Sequence, residues 1–178
     1  WSKIFDSSER SEAAWDMAFS DDEFTYITGD DLFNNSSNAF VYKLDSDGNQ
    51  VWSKLIGENG YTLSYAIEVD SNGDIYIAGS TDEDLNGEIN NVGNNDAFII
   101  KLDSDGNDIW TTLIGTSSEE WVSGLEINEN GNLYAVGNTD GDLNGQTNNG
   151  SLDGFLLEID TNGQVLWTEL FGTEFRDE

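Results

Sequence analysis

The feature of this sequence that most constrains its fold is an internal repeat. The stretch that begins W-S-K-L-I-G at Trp52 returns in recognisable form from Trp110, and a shorter copy begins at Trp1. Tryptophans 52, 110 and 167 are 58 and 57 residues apart, and Trp1 precedes Trp52 by 51 residues. A fixed period of this size indicates a stack of one supersecondary unit.

Each copy reads as four short strands joined by polar turns. The strands predicted in the middle copy are 66–70, 74–79, 97–102 and 109–115. Their equivalents are 17–20, 24–29, 39–45 and 51–57 in the first copy and 125–128, 133–137, 154–160 and 165–172 in the third. Four strands joined by Gly-containing turns, without a helical period, favour a blade of a β-propeller. A β-solenoid coil is shorter, and a β-sandwich need not repeat at all.

The sequence therefore predicts an all-β fold, a β-propeller repeat array in which about three four-stranded antiparallel blades form an open arc of a larger propeller. We assign blade 1 to 1–57, with 1–6 as the last strand of a preceding blade, blade 2 to 58–115 and blade 3 to 116–172. Residues 173–178 are read as the start of a truncated next repeat. The recurring tryptophan is expected to pack between neighbouring blades.

The charge of the chain limits its partners. It contains 36 acidic and 6 basic residues, for a formal net charge of −30. Binding phosphate requires clustered Lys and Arg, so nucleic acid and anionic membrane are excluded as partners. No apolar run reaches the roughly 18 residues of a membrane span, so no membrane insertion is expected. Two readings of the acidity remain open, a strongly solvated surface and the binding of divalent cations.

Nothing in the sequence indicates a catalytic centre. Histidine and cysteine are absent, which removes the usual Ser-His and Cys-His systems and the typical zinc centres. Paired carboxylates, the requirement for glycoside hydrolysis, remain available. However, no acidic residue recurs at an apolar position in all three copies. We therefore predict no enzyme activity, no catalytic residues and no organic cofactor.

Two stretches of the middle copy carry a family resemblance. Residues 96–115 read D-A-F-I-I-K-L-D-S-D-G-N-D-I-W-T-T-L-I-G, and residues 66–81 read A-I-E-V-D-S-N-G-D-I-Y-I-A-G-S-T. This pattern resembles the SBBP repeat, a family named for seven-bladed β-propellers, and the resemblance extends over essentially the whole chain. It implies propeller blades from a large secreted or cell-surface bacterial protein.

Two inserted loops match D-x-[DN]-x-[DN]-G, the first half of a calcium loop. Calcium takes six to eight oxygen ligands, and residues 1, 3 and 5 of such a loop direct side-chain oxygens to one point. The twelfth position, normally acidic, is Gly93 or Ser151, so the next acidic residue is the expected substitute. The sequence thus predicts Ca²⁺ as a cofactor, with these ligands: Asp82, Asp84, Asn86, the backbone of Glu88 and Asp96 in one loop, and Asp140, Asp142, Asn144, the backbone of Gln146 and Asp153 in the other.

A simpler reading of the same loops is that D-L-N-G forms a polar surface turn. In the first copy, residues 30–35 form a shorter loop without the glycine, and no metal site is predicted there. The D-S-D-G-N segments at 45–49 and 103–107 are expected to be ordinary connections between strands, as is 160–163.

The function expected from these features is that of a calcium-stabilised, non-enzymatic propeller module in a secreted or cell-surface protein, acting as a scaffold or an adhesion surface. The alternative is a carbohydrate-binding or carbohydrate-acting propeller that stacks sugars on Trp15, Tyr61 or Trp121. Expected partners are divalent cations, glycans or other surface proteins. Further blades of the parent chain, or self-association, are expected to cover the ends of the arc.

Overall fold

The computed structural model describes residues 11–33, 36–90 and 94–175, which form twelve strands in three antiparallel sheets. Sheet 1 contains β1 (Ser11–Phe19), β2 (Thr25–Phe33), β3 (Ser36–Leu44) and β4 (Gln50–Ile56). Sheet 2 contains β5 (Thr62–Val69), β6 (Ile75–Thr81), β7 (Asp96–Leu102) and β8 (Asp108–Ile114). Sheet 3 contains β9 (Glu120–Ile127), β10 (Leu133–Thr139), β11 (Asp153–Ile159) and β12 (Val165–Phe171).

Each sheet is a simple meander in which consecutive strands pair, and each outer sheet packs on the middle one. The predicted all-β fold of three four-stranded antiparallel blades in an open arc is confirmed. The blade boundaries and the strand predicted at 1–6 stay predictions, and the latter lies outside the described residues. The described part of the chain contains no helix that could cross a lipid bilayer.

The middle sheet is covered on both faces. Every residue of β6 and of β7 is buried. One face, with Ile77 and Phe98, packs against sheet 1, and the opposite face, with Ala78 and Ile99, packs against sheet 3. A strand covered on both faces needs apolar residues at consecutive positions, which explains the run A-F-I-I in β7.

The first strand of each sheet begins earlier than the sequence pattern predicts. In sheet 2 the strand begins at Thr62 instead of residue 66, and the register shifts by one residue between Ser64 and Ala66. Sheets 1 and 3 have the same bulge at the equivalent position. A bulge moves the following side chains to the opposite face, so the alternation on which the prediction relied is interrupted there.

A close backbone contact that recurs in all three sheets explains the glycine opposite each bulge. A Cβ on Gly79 would lie 1.8 Å from the carbonyl oxygen of Leu63, which is closer than any real contact. Gly29 and Gly137 meet a backbone carbonyl oxygen of their own first strand at 1.9 and 2.0 Å. The glycine in each copy is therefore required by the backbone approach at the bulge.

One predicted loop of the first copy is wrong. Residues 30–33 belong to β2, and the ladder between β2 and β3 continues to the pair Phe33↔Ser36. The other two copies carry an insertion at this point, which forces their strands to separate. Without it the two strands stay paired through Phe33 and Ser36.

The outward faces of sheets 1 and 3 carry apolar side chains. Met17 and Leu55 are exposed on sheet 1, and Val136 and Phe171 on sheet 3. By register, Val136 and Phe171 are equivalent to Ala78 and Ile114 of sheet 2, which are fully or almost fully buried against sheet 3. Such faces are suited to a further sheet of the same kind, and self-association of the chain stays a prediction.

Candidate functional site

The inserted loop of the second copy is built around a tight turn that is anchored in the core. The backbone N–H of Leu85 donates to the carbonyl of Glu88 at 3.1 Å, and the N–H of Glu88 donates back to Leu85 at 2.8 Å. Asn86 and Gly87 have φ values of 51° and 91°, the left-handed pair of a type I′ turn. The Leu85 side chain is only 4 % exposed and belongs to the core between sheets 1 and 2.

The third copy repeats this arrangement. The N–H of Gln146 donates to the carbonyl of Leu143 at 2.9 Å, and Asn144 and Gly145 have φ values of 51° and 82°. Leu143 is 1 % exposed and lies in the core between sheets 2 and 3. The motif D-L-N-G is therefore a buried leucine followed by a turn, in agreement with the simpler reading of the sequence.

The predicted calcium ligands of the second copy point to different partners. The Asp82 carboxylate accepts from the N–H of Tyr61 at 2.6 Å, and the Asp84 carboxylate accepts from the N–H of Asn90 at 2.9 Å. The Asn86 amide donates to side chains of β8, at 2.8 Å to the hydroxyl of Thr111. These three side chains are therefore bonded to protein groups in different parts of the sheet edge.

The loop of the third copy, which is fully described, behaves in the same way. Asp142 accepts from the N–H of Asn148 at 2.8 Å, and the amide of Asn144 donates to the hydroxyl of Thr168 at 2.9 Å. Within the described residues, no group of three or more acidic side chains is arranged to hold a metal ion. The predicted ligands, including Asp140 and the backbones of Glu88 and Gln146, do not form a calcium cage in this arrangement.

The two carboxylates proposed to close the loops, Asp96 and Asp153, are fully buried at the start of β7 and β11. Oδ2 of Asp153 accepts from the N–H of Asn149 at 2.8 Å and so holds the end of the loop. A Cβ on Gly115 or Gly172 would lie 2.2 or 2.1 Å from the carboxyl carbon of the neighbouring aspartate. These aspartates are packed into the sheet edge, and the calcium site stays a prediction without a fitting ligand set.

Each short hairpin turn is stabilised by the side chain of its first residue, which accepts hydrogen bonds from backbone N–H groups. In the turn that begins at Asp103, Oδ1 accepts from the N–H groups of Asp105 at 2.9 Å and Asn107 at 2.8 Å. The side-chain amide of Asn107, followed by its backbone, holds the pKa of Asp103 below its ordinary value. The same two bonds, to the second and fourth residues on, occur in the turns that begin at Asp45, Asp70, Asn128 and Asp160. The acidic residues that recur at these positions are therefore turn-formers.

The recurring tryptophan joins one sheet to the next. The indole N–H of Trp52 donates to the carbonyl of Ser104 at 3.2 Å, in the last turn of sheet 2. Trp110 makes the equivalent bond to Thr161 of sheet 3 at 3.1 Å, and its ring stands edge-on to Tyr76 with centroids 6.0 Å apart. The predicted packing role of the repeat tryptophan is confirmed for these two residues.

A carboxylate accepts hydrogen bonds from the linker at each junction between sheets, but it comes from a different position in the copy each time. At the first junction Glu83, just after β6, accepts from the N–H of Glu58 at 2.9 Å and from the hydroxyl of Thr62 at 3.0 Å. At the second, Glu120 of β9 accepts from the N–H of Thr116 at 2.7 Å and from the hydroxyl of Thr139 at 2.7 Å. Both carboxylates are structural.

A cavity of about 390 Å³ lies beside Glu120, between sheets 2 and 3. Its walls include two partly buried aromatic residues, Tyr65 of β5 and Trp121 of β9, and the exposed Glu119. Of the three aromatic residues that the sequence analysis proposed for sugar stacking, Trp121 lines this cavity, whereas Trp15 and Tyr61 lie elsewhere on the surface. The carbohydrate alternative stays a prediction.

Sequence reasoning missed one perturbed acid. Burial raises the pKa of Glu68 on β5, and the negative charge of Glu126, its equivalent on β9, raises it further. The two residues are 58 positions apart, so the repeat itself pairs them. The first copy has Ala18 at this position, so the acid does not recur in all three copies and the repeat gives no signal for it.

The stacked four-stranded sheets with their repeated turns have the architecture of β-propeller blades. Residues 51–86 match the SBBP family model, described as a beta-propeller repeat, so this segment carries the repeat that its motifs predicted.

Two further proteins are similar to this chain. It is 30 % identical over 176 residues to "Regulatory protein FlaEY" of Caulobacter vibrioides, a match that covers 91 % of this chain and 18 % of that protein. A structural comparison finds "Cryo-EM structure of Morganella morganii TcdA4" at 10 % identity and a TM-score of 0.43, over 89 % of this chain and 8 % of the other.

Proposed function

We propose that this chain is a non-enzymatic propeller module that provides a scaffold or an adhesion surface in a larger secreted or cell-surface protein. The observation that carries the proposal is how the recurring polar and aromatic side chains are used. The turn-initiating aspartates bind their own backbone, and Trp52 and Trp110 bind the next sheet. The side chains that recur from copy to copy therefore stabilise the fold itself.

The similarity to a regulatory protein of which this chain spans 18 % supports a modular role. A stack of sheets that contact only their neighbours can be extended by further units without altering those already present. The net charge of −30 keeps such a surface well solvated and repels other acidic surfaces. Calcium is not included in the proposal, because Asp82, Asp84 and Asp142 accept hydrogen bonds from backbone N–H groups and no three acidic side chains converge within the described residues.

The cell-surface part of the proposal is tested by adding a protease to intact cells that produce the parent protein. An antibody against this segment should lose its signal in intact cells at a rate close to that in lysed cells. A periplasmic or cytoplasmic marker protein, which should stay intact until lysis, is the control. Protection of the segment until lysis would contradict surface exposure.

The non-enzymatic part is tested by incubating the chain with a panel of chromogenic glycosides. We expect no release of the chromophore above that of buffer. Turnover that disappears when a single carboxylate is changed to its amide would overturn this part and would favour the carbohydrate-acting alternative.

A further inference from the structure

One row of side chains on the last strand of a sheet contacts the last turn of the following sheet. The row begins with the recurring tryptophan, and its second member is a further donor. Lys54 Nζ donates to the carbonyl of Gly106 at 3.1 Å and pairs with the carboxylate of Asp108 at 2.8 Å. At the next junction the hydroxyl of Thr112 donates to the carbonyl of Gly163 at 2.7 Å. Each internal junction is therefore joined by donors on a last strand that meet acceptors in the following turn.

In sheet 3 the equivalent row faces outward. Leu170 of β12 packs against the core between sheets 2 and 3, so its neighbours Glu169 and Phe171 lie on the opposite face of the strand. The ring of Trp167 stands edge-on to Tyr134 with centroids 6.1 Å apart, close to the 6.0 Å of the equivalent pair in sheet 2. The aromatic part of the row thus has the geometry of an internal junction, although no sheet covers it among the described residues.

The charged positions of this outward face are reversed in sign. Glu169 stands where sheet 1 has Lys54. Glu158, which pairs with the row tryptophan across the ladder, stands where both other sheets have a lysine. The indole N–H of Trp167 donates to this carboxylate instead of to a following turn. Residues 102–175 contain neither Lys nor Arg, so the face offers acceptors where sheet 1 offers cations.

A second copy of the chain does not supply the missing cation. In the internal arrangement, the residue opposite Glu169 would be the one equivalent to Asp108, which in sheet 1 is the neutral Gln50. The turn that precedes it carries Asp45 and Asp47. Like charges brought together at an interface oppose binding, and each copy carries a net charge of −30. The face therefore fits a sheet with the opposite charge.

We propose that the outward face of sheet 3 docks a β-sheet of a partner protein that presents a lysine or an arginine to Glu169. The arrangement is that of the first internal junction with the two charges exchanged. Exposed apolar side chains, Val136 and Phe171 among them, provide the contact area, and the ion pair determines which sheet is accepted. This inference rests on the proposed role as a scaffold or adhesion surface, and it gives that role a location and a partner chemistry.

The chain itself provides the probe, because sheet 1 already has the frame of a following sheet. A copy with Gln50→Lys presents the proposed cation, the unchanged chain is the neutral reference, and Gln50→Glu presents the wrong charge. Glu169→Lys reverses the receiving side. Phe171→Asp removes an apolar contact from the face, and its matched control is Ile89→Asp, at a side chain that is 74 % exposed in the inserted loop of the second copy. All four positions are exposed, so circular dichroism and Tm should match the unchanged chain.

Self-association of each variant is measured by sedimentation equilibrium at low ionic strength, where ion pairs are screened least. The association constant should fall in the order Lys, Gln, Glu at position 50, by about three- to fivefold per step, as expected for a partly exposed ion pair. In the Glu169→Lys background the order should reverse. Phe171→Asp should abolish the association of the Gln50→Lys chain, and Ile89→Asp should leave it unchanged.

Three results would overturn the inference: no association of the Gln50→Lys chain, equal association with all three residues at position 50, or an order that Glu169→Lys does not reverse. Equal association would identify a second, unmodified copy as the occupant of the face. None of these results would affect the protease test of surface exposure, so failure of this docking face and failure of the proposed function can be told apart.

Discussion

The change Gly79→Ala tests the account of the β-bulge, because it adds one methyl group where the structure leaves no room. The new Cβ would lie 1.8 Å from the carbonyl oxygen of Leu63, 2.8 Å from its carbonyl carbon and 2.8 Å from Cα of Ser64. All three are backbone atoms, so the contact cannot be relieved by rotating a side chain. β5, the edge strand, must move away from β6 in a sheet that is covered on both faces.

The expected penalty lies at the upper end of the range for overpacking. Inserting a methyl group into a packed core lowers the free energy of unfolding by about 1–3 kcal/mol, and we expect a clash with backbone atoms to cost about 3 kcal/mol. Alanine also restricts the unfolded chain, which returns roughly 0.5 kcal/mol. The net loss of about 2.5 kcal/mol corresponds to a fall in Tm of about 5–10 °C for a domain of this size.

The matched control is Gly154→Ala, the same chemical change in β11. A Cβ there would meet its nearest atoms at 3.6 and 3.9 Å, and the equivalent positions already hold Ala39 and Ala97. Thermal and urea unfolding of both variants, followed by circular dichroism, give the comparison. If Gly79→Ala is as stable as Gly154→Ala within about 0.5 kcal/mol, the close approach at the bulge is not real.

Three further predictions follow from contacts described above. Because the folded state raises the pKa of Glu68, the free energy of unfolding falls as pH rises from the ordinary glutamate range through that raised value. Glu68→Gln should therefore raise Tm at pH 7 and have no effect at pH 3. A lower Tm at pH 7 would contradict this. Trp110→Ala should lower the free energy of unfolding by about 2–3 kcal/mol, and Trp167→Ala by roughly 1 kcal/mol. The smaller loss is expected because Trp167 is 40 % exposed and contacts no following sheet among the described residues. Equal losses would argue against the inter-sheet role. Since protein groups close the D-L-N-G loops, EDTA should leave Tm unchanged, and a fall that added calcium reverses would restore the calcium hypothesis.

Much of this fold can be predicted from the sequence because the same four-stranded unit recurs along the chain. The period of the tryptophans defines the unit, and the turns that begin at Asp45, Asp103 and Asp160 separate its last two strands. The position of Trp110 against the next sheet also followed from its recurrence. A signal that is weak in one copy becomes strong when it returns at a constant spacing.

The parts that could not be predicted depend on interruptions of the pattern. The bulge beside Tyr65 moves the start of β5 to Thr62, because it breaks the alternation from which a strand is recognised. The D-L-N-G loops have the residue spacing of a calcium loop. The sequence does not show that Leu85 and Leu143 are buried, which directs the neighbouring polar side chains to different partners. The cavity beside Glu120 depends on how sheets 2 and 3 pack together, and the sequence of a single strand carries no information about that.

Native-state hydrogen exchange shows whether the middle sheet is enclosed by two sheets of the same kind. The amides of β6 and β7 should exchange most slowly, with protection close to that of global unfolding, and their equivalents in β2, β3, β10 and β11 should exchange faster because each has one face uncovered. Uniform protection of the three sheets, or faster exchange in β6 and β7 than in β10 and β11, would contradict the stacked arrangement.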